Sequence, residues 1–184
     1  MKKVFLFIVL LMALPVFITA QDKNVKELKP TTIKLKDFEH KAGQYIGRPM
    51  EVTGIVDHVC KHGGKKMFLV DESSDARVKI TTGDDMAAFT QNLVGETVRV
   101  RGMVVEQRVD EEYINEMEDK AASGISKKEG DGLHLKGEKE NENNNASAQS
   151  DKAEKLREEL KKSGNDYISF FSIKATEFSI IDKK

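Results

Sequence analysis

Apolar and polar positions alternate from Met50 through Val52, Gly54 and Val56, with Glu51, Thr53 and Asp57 between them; a period of two predicts a half-buried strand. Gly63 and Gly64 mark a turn into Met67-Phe68-Leu69-Val70, which makes a hairpin. After the turn residues Asp71 to Asp75, Val78 and Ile80 alternate with Arg77 and Lys79 in a third strand. A fourth runs over Val98, Val100, Gly102 and Val104, with Arg99, Arg101 and Met103 on the other parity, and a fifth is expected within Tyr167 to Ile181. Between the third and fourth strands, Asp84 or Asp85 can cap a helix that carries Met86, Phe89 and Leu93 on one side and ends at Gly95. Upstream, Leu35 to Ile46 predicts a helix with Phe38, Ala42, Tyr45 and Ile46 inward, closed by Gly47.

Charge separates an insertion from this pattern. Residues 21–109 hold 15 basic and 13 acidic side chains, residues 110–162 hold 10 and 15, and residues 163–184 hold three of each. Within the acidic middle, Asp110 can cap a helix with Tyr113, Ile114, Met117 and Ala121 on one side. Asp151 with Glu154 forms a capping-box pattern ahead of Ala153, Leu156 and Leu160, and Gly164 stops that second helix. Between the arms, Gly124 to Ser150 offers only Ile125, Leu133 and Leu135 as larger apolar residues and includes the run Glu140 to Asn145, so disorder is expected there. The predicted organisation is barrel strands within 21–109, an insertion over 110–162 with its loop at 124–150, and the last strand within 163–184.

Residues 1–20 stand outside the fold. Lys2 and Lys3 precede an almost unbroken apolar run from Val4 to Ile18, and Ala20 before Gln21 offers a small residue at a cleavage position, the pattern of a signal peptide. The run is shorter than the ~20 residues that span a bilayer. The expectation is an exported chain, periplasmic or secreted, cleaved near Ala20 and Gln21, and not membrane-spanning after processing. With 30 basic against 31 acidic residues in 184, no global basic field exists, and a single cysteine cannot close an internal disulfide.

Three strands, a helix and two strands is the chain order of the OB-fold, a five-stranded all-β barrel, here with an N-terminal helix, a capping helix between strands three and four, and a helical and disordered insertion between strands four and five. Three stretches, Tyr45 to Val56, His58 to Val70 and Gly95 to Gly102, also resemble small secreted bacterial OB-fold proteins of the tRNA-anticodon-domain-like type. That resemblance covers about residues 33–109 and implies the barrel; it brings no catalytic residues with it.

Candidate chemistry gathers at His58-Val59-Cys60-Lys61-His62. On a strand His58, Cys60 and His62 project to one side, and two imidazoles with a thiolate suit Zn or Cu once the Gly63-Gly64 turn bends His62 back. The same parity, continued from Met50, Val52 and Val56, instead makes Cys60 a small apolar filler at the barrel rim, and a thiol beside histidines and Lys61 is a third possibility as a reactive group. No nucleophile with an orienting partner, phosphate loop or metalloprotease motif occurs, so the reading is a binding protein and no enzyme reaction is assigned. Its rival ligand is an oligonucleotide or other polyanion, met by Lys65, Lys66, Arg77, Lys79, Arg99 and Arg101 at outward strand positions. A third class is protein–protein interaction through the helical arms.

Overall fold

The computed structural model describes residues 29–61, 63–123, 133 and 146–181. Residues 1–20, expected to be a signal peptide, and His62 lie outside them. β1 (Thr31–Thr32) is a short parallel addition to β2 (Pro49–Val59), followed by β3 (Lys66–Val70) and β4 (Arg77–Thr82). β5 (Thr97–Val109) and β6 (Ile168–Ile180) are the long strands, and between them stand two helices, α2 (Glu111–Ala122) and α3 (Ala146–Ser163). β2 pairs with both β3 and β5, β4 with β3 and β6, and β5 with β6, so the strands close in the order β2-β3-β4-β6-β5 with only β4 and β6 parallel among them. That is the five-stranded OB barrel. Met50, Val52, Val56, Met67, Leu69, Ile80, Val100 and Ile173 fill it, the inward parity of each strand.

Two expected helices take other forms. Leu35 to Tyr45 is a 3₁₀ turn, one α-helical turn, α1 (Phe38–Lys41), and a second 3₁₀ turn. Phe38 and Ala42 are buried as expected, but Ile46 is 44% exposed, because its backbone has already left the helix with ψ 128° and bridges Val104 instead. The expected capping helix between the third and fourth barrel strands is an irregular loop ending in a 3₁₀ turn over Gln91–Leu93. The Phe89 N–H donates 2.8 Å to the Gly64 carbonyl of the β2–β3 hairpin, where a helix would have needed it internally. Phe89 and Leu93 reach the core all the same.

β5 and β6 continue in register past the barrel to Val109 opposite Ile168, forming a ribbon whose end carries the insertion. Asp110 caps α2 by accepting a 2.9 Å hydrogen bond from the Tyr113 N–H. α3 begins at Ala146, upstream of the expected Asp151 cap, so residues 146–150 of the segment expected to be disordered are helical. Leu133, from the same segment, is buried; the rest of 124–145 lies outside the described residues. Ile114, Met117, Leu133, Ala153, Leu156 and Leu160 close on Val109 as a second core, distinct from that of the barrel. Across its rim Arg157 donates to Glu111 at 2.7 Å and to both carboxylate oxygens of Glu118 at 2.7 and 3.0 Å, which holds the Glu118 carboxyl below the usual carboxylate range.

Candidate nucleic-acid interface

The outer wall of β2, β3 and β4 is shaped by an irregularity in β2. Val56 pairs with Leu69 and His58 with Phe68, so Asp57 is an extra residue without a ladder partner, a β-bulge. The bulge flips the parity: Val59 takes the inward place opposite Met67, and His58 faces outward, half-buried. Cys60, also half-buried, donates its N–H to the Lys66 carbonyl at 2.9 Å and accepts the Gly64 N–H at 3.1 Å. The continuous parity that set His58 on the core side is therefore corrected by the bulge.

Register sets the remaining outward positions. His58 stands opposite Phe68, Phe68 opposite Lys79, and Lys79 opposite Ser172, a row across β2, β3, β4 and β6. The next rows place Lys66 against Thr81 and Lys174, and Val70 against Arg77. Lys66, Arg77 and Lys79 are thus brought onto one wall, with exposed Lys65 at its rim. Lys174 joins them, held by both carboxylate oxygens of Asp84 at 2.8 and 2.9 Å. Its place was not readable from the sequence, because parallel pairing of β6 with β4 depends on the closure of the whole barrel.

Arg99 and Arg101 are not on this wall. They pair with Thr53 and Glu51 of β2 on one side and with Ser179 and Glu177 of β6 on the other. Arg101 is engaged by Glu51 at 2.5 Å and Glu177 at 2.8 Å, two carboxylates that raise its already high pKa further, and Arg99 lies 3.7 Å from Glu51.

Phe68 occupies the middle of the basic wall. Met67 and Leu69 on either side belong to the barrel core, whereas Phe68 faces outward yet is only 1% exposed. The Arg77 guanidinium lies over its ring, 4.2 Å from the centroid, and the His58 ring is tilted beside it at 6.4 Å. Arg77 also reaches Asp57 on β2 at 3.0 Å, spanning β3 to do so. The four consecutive apolar residues Met67 to Val70 carry no parity of their own, so it is the register that sets Phe68 outward.

Among the described residues no group of three His, Cys, Asp or Glu side chains stands ready to hold a metal ion; His58 faces outward, Cys60 is half-buried just past the end of β2, and His62 lies outside the described residues.

No protein-family model matches the chain, and no curated protein does. Solved structures similar to it include the telomere capping protein Ten1 from Saccharomyces pombe, at 16% identity and a TM-score of 0.29 over 40% of this chain. Another is a putative aspartyl-tRNA synthetase from Leishmania major Friedlin, at 14% identity and a TM-score of 0.30 over 58% of this chain. The chain spans 66% and 22% of those two structures. The OB-fold assignment rests on the closed strand order itself.

Proposed function

We propose that this chain is a non-catalytic OB-fold module that binds single-stranded nucleic acid along the β2–β3–β4 wall, with Lys66, Arg77 and Lys79 contacting phosphates and Lys65 at the rim. The observation that carries the reading is the register, which sets these three cations on two adjacent strands of the side where OB barrels take oligonucleotides and oligosaccharides. The fold contributes the side of the barrel by analogy; the charge contributes the anionic class. In a titration of a fluorescent deoxythymidine oligonucleotide, log affinity should fall against log salt with a slope of about −2 to −3, the value for three or four phosphates on a single strand. Lys79→Glu should weaken binding about tenfold and Arg99→Ser less than about twofold. Absence of binding at ~50 mM salt, where such contacts are strongest, contradicts the reading. Export is part of it, and an N-terminus at Gln21 in the mature chain, by mass spectrometry, is the expected result; an intact Met1 would remove that part alone.

A second reading is favoured by the bulge, which turns His58 outward two residues before Cys60. With His62 these two would hold Zn or Cu, ions that such donors suit. Elemental analysis of protein purified without chelator should then give about one metal per chain, lost in Cys60→Ser and weakened as pH falls through ~6.5, where imidazole protonates. A metal-free protein after incubation with both ions would reject it.

A further inference from the structure

We infer that Asp57 is an internal competitor for the nucleic-acid site, a carboxylate that occupies the Arg77 guanidinium until a phosphate replaces it; this rests on the binding reading above. Three observations meet here. The bulge makes Asp57 the one β2 residue between Pro49 and Val59 that has no partner in its ladders and turns it outward. Its carboxylate sits 3.0 Å from the Arg77 guanidinium Nη2 across the full width of β3, with the Asp57 side chain 48% exposed and that of Arg77 24% exposed. The guanidinium plane so held covers Phe68, the outward aromatic at the centre of the basic wall.

A phosphodiester offers two non-bridging oxygens, as a carboxylate offers two oxygens, and Arg presents a fork that fits either. Exchange of Asp57 for phosphate therefore keeps Arg77 paired throughout, and the cost falls on affinity: each ligand must beat an anion already in place. A strand whose neighbouring phosphates also meet Lys66 and Lys79 can do so, whereas a single carboxylate brings no second contact. Asp57 in this way sets a threshold that favours polyphosphate backbones over isolated anions. Arg77 has contacts besides Asp57, so the expected effect is of the size of one partly exposed ion pair.

The test is a double-mutant cycle with a deoxythymidine oligonucleotide as probe at low salt. Asp57→Asn should tighten binding about three- to fivefold, and the gain should disappear in an Arg77→Gln background. Asp75→Asn, which removes an equal charge from the adjoining β3–β4 loop, should change affinity by less than about 1.5-fold. An equal gain from Asp57→Asn in both backgrounds, or no gain, overturns the competitor role while leaving the binding reading intact. Failure of every variant to bind overturns both. Independently of ligand, NMR should show faster rotation of the Arg77 guanidinium in Asp57→Asn; an unchanged rate also overturns the inference.

Discussion

Gly64→Ala is expected to destabilise the barrel by more than about 3 kcal/mol, as only backbone clashes and strained dihedrals do at a single turn residue. Gly64 has φ +61°, and a Cβ there would stand 2.2 Å from the Phe89 carbonyl oxygen and 3.2 Å from the Ala88 Cβ. Relieving that clash moves the loop away and breaks the 2.8 Å bond from the Phe89 N–H to the Gly64 carbonyl, the contact that seats Phe89 under the barrel. The neighbouring Gly63 is the control. It also has positive φ, at +84°, but nothing lies within 4 Å of its Cβ position, so Gly63→Ala should cost only about 1–2 kcal/mol of left-handed strain. Chemical denaturation of both variants measures the difference. Equal losses would mean that the close approach of the two loops has no energetic weight.

Ile114→Asp should produce the other large effect, and it should be confined to the helices. Ile114 is fully buried at the centre of the second core, against Met117, Leu156 and Leu160 of the helical pair. A carboxylate there has no partner among those side chains, and an unpaired buried charge costs about 3–5 kcal/mol when one is forced on a core. Because that core shares no residue with the barrel core, hydrogen exchange should show α2 and α3 opening while the amides of β2, β3 and β4 keep their protection. Simultaneous loss of protection in β3 would show that the ribbon transmits the damage and that the two cores are one cooperative unit.

The strands of this barrel were legible because their core positions alternate. Met50, Val52 and Val56, Val78 and Ile80, and Val98 and Val100 all face inward as their period requires. Legibility failed where one residue breaks the period or where a remote contact decides. No composition signal announces that Asp57 is an extra residue, and that bulge moved His58 from the core side to the outer wall. The segment Asp84 to Leu93 has helical spacing, but the Phe89 N–H that a helix would use is taken by the Gly64 carbonyl of the hairpin, a contact made far along the chain. Gly102 was readable as a strand position and not as a necessity: a Cβ there would lie 2.3 Å from the Lys174 carbonyl oxygen, at a second bulge in the β5–β6 ladder. Of the six basic residues singled out, Lys65, Lys66, Arg77 and Lys79 lie on or beside one wall and Arg99 and Arg101 on another. Outward parity is local, but which outward residues share a wall depends on strand order, and strand order is a property of closure.

The measurement that bears most directly on the binding account is an NMR map of amide shifts in the ¹⁵N-labelled chain during titration with a deoxythymidine oligonucleotide at low salt. Perturbations should concentrate at His58, in Lys65 to Val70 and in Arg77 to Thr82, and leave Arg99, Arg101 and the helices α2 and α3 undisturbed. Shifts gathered instead around Arg99, Arg101, Glu51 and Glu177, or no shifts at all, would contradict it.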